Sequence, residues 1–127
     1  MYCRPMDTFT HLTAWQACHQ MVLAIYRATD KWPVSERYVL TSQLRRAATS
    51  VPTNIAEGTG KRGGPEMRRY LDIALGSMAE VTYQLMLARD LGYLTREQYA
   101  DLEKLRNHAG KLLWGPSKTA MERGKRS

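Results

Sequence analysis

The sequence lacks most of what marks a cross-linked, membrane-spanning or catalytic protein. Its only two cysteines, Cys3 and Cys18, do not make a disulfide framework and read as reduced thiols of a cytoplasmic protein. No stretch approaches the roughly 18 consecutive apolar residues that span a bilayer. The opening MYCRPMDTFTHLTAW has no apolar run behind a basic start, which argues against a secretory signal. His11, His19 and His108 are scattered, and none of the seven glutamates has a histidine three residues on. The Glu-x-x-His pairs that hold di-metal centres in helical bundles are therefore missing, and no metal is expected. No histidine is positioned in sequence to activate either thiol. The loop TGKRGG at 59–64 has neither the spacing nor the preceding strand of a Walker loop, though it leads into a helix start where a weak anion site is conceivable. No catalytic residue and no cofactor are expected, and the chain does not read as an enzyme. Alternating strand patterns, solenoid-period repeats and low-complexity tracts are missing too.

What is present is helical periodicity. The 127 residues, 43% hydrophobic and 24% charged, suffice for one globular core. From Leu12, the stripe Trp15, Cys18, Met21/Val22, Ile25/Tyr26 and Thr29 recurs at three- and four-residue steps and predicts a first helix. Asp30-Lys31-Trp32-Pro33 ends it, because the residue before a proline is pushed out of helical geometry. Ser35 is the expected N-cap of a second helix, with Glu36 in its first turn. That helix carries Leu40, Leu44, Ala47/Ala48, Val51 and Ile55 on one face. Pro52 lies inside the stripe without changing its phase, so one kinked helix is expected to about Gly58. Gly58, Gly60, Gly63 and Gly64 then read as a flexible connection.

Pro65 suits the first position of a third helix, expected over about 65–91, and Gly92 suits the left-handed residue that closes it. Thr95 and Gln98 form a capping box for a fourth helix, with Leu94 and Tyr99 as its hydrophobic staple. Leu102, Leu105, Ala109 and Leu112/Leu113 continue its stripe, and Gly115-Pro116 is the expected stop. The chain thus divides into a flexible lead-in (1–10), a bundle (11–115) and a basic, disordered tail (116–127). Short joints make the bundle all-α and antiparallel, up-down-up-down.

The third helix carries apolar residues on more than one face, among them Tyr70, Ile73, Leu75, Met78, Val81, Tyr83, Leu85 and Met86. A helix that is apolar nearly all round must be buried nearly all round, which one four-helix subunit does not provide. Self-association is the expected second surface. A wide core stripe with a few exposed apolar residues is the plainer alternative.

Charge is the other positive signal. Nineteen basic against twelve acidic side chains give +7, and thirteen of the nineteen are arginine, a fork suited to phosphate. Arg45 and Arg46 lie midway along the second helix, Lys61 and Arg62 in the following loop, and Arg68 and Arg69 at the start of the third. The last four are expected at one bundle end, with the first two as a separate patch. These six are the candidate nucleic-acid-binding residues. The opposing reading is that Arg45, Arg46, Arg68 and Arg69 pair with Glu57, Asp72 and Glu80.

At LTSQLRRAATSVPTNIAEGTGK, residues 40–61, the sequence resembles the four-helix-bundle proteins encoded in intervening sequences of bacterial large-subunit ribosomal RNA genes. The likeness rests on the Arg45-Arg46 pair, Pro52 within the helix, and Asn54-Ile55-Ala56-Glu57-Gly58. It extends through Arg69-Tyr70-Leu71, Gly76-Ser77-Met78-Ala79-Glu80 and Gly92-Tyr93-Leu94, over residues 9–115. The resemblance implies four antiparallel helices assembling as a homopentameric ring, with no enzymatic role to transfer. A relative in fold and charge, the accessory variability protein of diversity-generating retroelements, is a basic pentamer that binds nucleic acid. Its retroelement role does not carry over, because fold does not fix function. Two functional expectations follow. One is a basic oligomeric scaffold associating with RNA, DNA or a ribonucleoprotein, and the other is a protein–protein interaction module whose charge is incidental.

Overall fold

The computed structural model describes residues 9–61 and 64–115, with the last helix assigned through Arg126. Four helices follow in order: α1 (Thr13–Thr29), α2 (Leu40–Thr59), α3 (Gly64–Asp90) and α4 (Arg96–Arg126). No strand occurs among the described residues. Each helix packs against two others in the cycle α1–α2–α3–α4–α1, and the diagonal pairs stand apart.

Residue pairs across the seams give the directions. Ser50 meets Ser77 at 2.8 Å, whereas Gly58, further along α2, abuts Tyr70. The partner number falls as α2 advances, so α2 and α3 run antiparallel. At the opposite end, Arg45 reaches back to Tyr26 and Thr29 at the close of α1. There too, Trp32 packs on Tyr93, the rings 5.6 Å apart, just before α4.

The stripes read from the sequence face inward. Cys18, Met21 and Ile25 from α1, Leu44 and Val51 from α2, Val81 and Leu85 from α3, and Leu113 from α4 are fully buried in one cluster. α2 passes Pro52 without interruption, although proline supplies no N–H to the turn before it. In the same stretch Thr49, Thr53 and Asn54 donate side-chain bonds to the carbonyls of Arg45, Thr49 and Ser50.

The third and fourth helices end and begin as their sequences predict. Gly92 has φ +82°, its N–H donates to Arg89 and the Tyr93 N–H to Ala88, which completes a Schellman closure of α3. The Thr95 N–H donates to Gln98 Oε1 at 2.9 Å, and the Gln98 N–H donates to Thr95 Oγ1 at 3.1 Å. The capping box is therefore reciprocal. Thr95→Ala should lower stability by about 1 kcal/mol, read as a drop in the urea midpoint at unchanged m.

Three expectations fail. Ser35 does not cap α2, because Val34–Glu36 forms a separate 3₁₀ turn and α2 starts at Leu40 with no side-chain cap. Glu36 is drawn elsewhere: its carboxylate accepts a 2.8 Å bond from the Tyr93 hydroxyl. That bond holds the phenol above its ordinary pKa. Gly58 is not part of a flexible joint. It is buried inside α2, where a Cβ would lie 3.2 Å from Tyr70 Cβ, so close helix approach is what needs a glycine there. Finally, α4 is assigned past Gly115-Pro116, the expected stop. A proline removes one backbone bond without forbidding helix on both sides. Lead-in residues 1–8 and the side chains of 116–127 lie outside the described residues.

Candidate nucleic-acid interface

The five candidate cations among the described residues separate into different environments. Arg45 is half-buried and committed to the fold. Its Nε donates to Thr29 Oγ1 at 2.9 Å, its Nη2 donates to the Tyr26 carbonyl at 3.3 Å, and its guanidinium lies 4.5 Å from the centre of the Tyr26 ring. Thr29 is itself buried and donates to the Ile25 carbonyl at 2.8 Å. Arg45 thus ties the end of α1 to α2. Arg46, one residue on and about 100° around the helix, is exposed. Arg45→Ala should cost about 1–2 kcal/mol by losing these bonds and the ring contact. Arg46→Ala should stay within about 0.5 kcal/mol. Paired thermal melts of the two variants check the contrast.

Lys61, Arg68 and Arg69 all lie at the α2–α3 joint. The Lys61 ammonium lies 5.7 Å from the centre of the Tyr70 ring, and Tyr70 packs against Gly58. Arg68 is half-buried and Arg69 exposed, both near the start of α3. Gly64 takes φ +82° to start that helix, whose N-terminal dipole adds positive potential at the same place. Arg62 lies outside the described residues. Arg46 is 13 residues before Thr59, about 20 Å along α2 at 1.5 Å per residue, and so forms a separate patch.

The ion pairs among the described residues are Arg89–Asp90 and Arg106–Glu103. Neither uses a candidate cation, and Glu57, Asp72 and Glu80 close no pair with Arg45, Arg46, Arg68 or Arg69. Glu57 and Glu66 do stand at the α2–α3 end, both exposed. Sequence reading missed the tyrosines: Tyr26 and Tyr70 supply ring faces to Arg45 and Lys61. The Tyr26–Arg45 contact spans 19 residues, which no helical period reports.

Burial pushes the Cys18 thiol up to about 12, so it stays protonated and inert at neutral pH. Among the described residues, no group of three or more His, Cys, Asp or Glu is placed to hold a metal. None of the described helices is long and apolar enough to cross a membrane.

The helices and their cationic joint define an all-α four-helix protein with a basic corner. Residues 10–115 match the model of the 23S rRNA-intervening sequence protein family, and the chain belongs to that family. The resemblance carried by residues 40–61 is thereby family membership. The fold is similar to the crystal structure of a protein with unknown function from the S23 ribosomal protein family of Bacteroides thetaiotaomicron VPI-5482. That likeness has 25% identity and a TM-score of 0.75, and covers 83% of this chain and 95% of that one. No curated protein matches the chain.

Proposed function

We propose that the protein is a non-enzymatic, homo-oligomeric cytoplasmic scaffold that associates with nucleic acid or a ribonucleoprotein. The observation that carries the reading is the α2–α3 corner. Lys61, Arg68 and Arg69 gather there with no carboxylate partner among the described residues, on a chain of net charge +7. Cations left free in this way suit a phosphate backbone, and they read charge rather than base sequence.

Self-association draws on α3. Its Tyr83 is 62% exposed, and Ile73 and Met86 are about 40% exposed, an apolar outer side that one subunit leaves open. The family resemblance implies a ring of five. Light scattering should return a multiple of the 14.5 kDa chain mass at micromolar concentration, and a monomer mass sinks the assembly.

Binding of single-stranded RNA and of duplex DNA, measured from about 50 to 200 mM salt, tests the nucleic-acid role. Log affinity should fall linearly with log salt, with a slope near −3 if about four phosphates of a single strand are neutralised. A flat plot, or no binding at low salt, removes the reading. The interaction-module alternative draws on Val34, Tyr38 and Val39, 73%, 85% and 52% exposed around the α1–α2 joint. It predicts a stable oligomer that ignores nucleic acid.

A further inference from the structure

At the bundle end where the α2–α3 joint lies, the four helices do not close. A cavity of about 390 Å³ opens between the start of α1, the end of α2, the start of α3 and residues 111–115 of α4. That volume falls within the range of small-molecule sites, which are mostly apolar with a few placed polar groups. Ile55, Met67, Leu71 and Leu113 form its walls. Among the described residues its side-chain polar groups are the hydroxyls of Thr13 and Thr59 and the ammonium of Lys111, and no acidic residue lines it. Lys111 is exposed, which puts its charge at the mouth.

Two features select the ligand. Among the described residues no aromatic ring lines the cavity, so these walls give a nucleobase or other planar ring no surface to stack on, whereas their aliphatic side chains suit a flexible hydrocarbon chain. Among the described residues the polar end is positive only. Lys111 is joined there by the start of α1, where Leu12 sits at the N-cap, no side chain caps the helix, and the first turn has no acid. The Leu12 N–H is taken by the Phe9 carbonyl, but Thr13 and Ala14 of the first turn also line the cavity, so first-turn backbone N–H groups and the positive end of the dipole border the mouth. An aliphatic interior under a cationic rim is complementary to an amphiphile with one anionic head.

We propose that this cavity binds an aliphatic carboxylate, its chain between Ile55, Leu71 and Leu113 and its head group at Lys111 and the start of α1. Lys61, Arg68 and Arg69 do not line this cavity, although Thr59 and Met67 near them in the chain do, and the proposal does not depend on nucleic-acid binding.

Calorimetric titration of the full chain with dodecanoate, below its micelle concentration, tests this, with dodecan-1-ol as the uncharged probe. The expected result is one dodecanoate per chain and weaker binding of the alcohol. Lys111→Met keeps the aliphatic stem and removes the charge, and should weaken dodecanoate about fivefold. Thr13→Trp adds bulk at an exposed lining position and should abolish binding while circular dichroism shows an unchanged helical content. No binding to the full chain overturns the proposal, whether the cavity rejects the probe or the chain's own residues fill it. Equal affinity for acid and alcohol overturns it as well, as does dodecanoate binding that survives both substitutions.

Discussion

Leu44→Ala is expected to remove about 3 kcal/mol of stability, the largest single-residue effect considered for this fold. Leu44 is fully buried on α2, the helix that packs against both α1 and α3. Truncation loses the transfer free energy of the removed methyl groups and leaves a cavity that rigid neighbours refill only in part. Together these cost about 2–5 kcal/mol for buried leucines. One residue on, Arg45 holds α2 against the end of α1, so collapse of the helices into the space is restricted. Urea unfolding should show a lower midpoint at unchanged m, and the melting temperature should fall by about 10 °C. Leu91→Ala, at a position 50% exposed, should change stability by less than about 0.5 kcal/mol. Because association would stabilise the folded chain by mass action, both variants are compared at two protein concentrations. A loss under about 1 kcal/mol for Leu44→Ala would place that residue outside the core.

The parts of this fold that were legible in the sequence are those decided within a few residues. The Schellman closure at Gly92 and the Thr95–Gln98 box each depend on contacts no more than five residues apart, and each forms as its residues predict. The apolar stripes are equally local, because a helix repeats its inner face every three or four positions. What escaped depends on the α3–α4 joint or on a facing helix. Ser35 and Glu36 look like a helix start until Tyr93, 57 residues on from Glu36, takes the carboxylate. Gly58 looks like a hinge until α3 is seen pressing on it. Arg45 and Arg46 look like one basic pair, yet adjacent helix positions point about 100° apart, and only Arg45 turns toward Tyr26 and Thr29. The same limit explains the third helix. Its sequence shows apolar residues on several faces, but the separation of core-facing Val81 and Leu85 from outward Tyr83 needs the bundle axis.

Reversing the charge of the α2–α3 corner, with Lys61→Glu, Arg68→Glu and Arg69→Glu combined, is expected to have the largest effect on the proposed function. Each phosphate contact released from a single strand should reduce the steepness of the log–log salt plot by about 0.7, so losing all three should flatten it by about 2. Added repulsion from the three carboxylates deepens the loss at low salt and shrinks as screening sets in. Lys61 and Arg69 are exposed and Arg68 half-buried, with no ion pair to break among the described residues, so the fold should survive. Arg46→Glu alone should flatten the plot by about 0.7 if the separate patch on α2 also touches the strand. Arg45→Ala is the counterpart, expected to lower the melting temperature while leaving the slope of the still-folded protein unchanged. A corner variant that binds RNA with the wild-type slope would move the contact away from the α2–α3 joint. If the wild type itself shows no slope, the exposed Val34, Tyr38 and Val39 become the stronger lead, and the positive charge serves solubility rather than recognition.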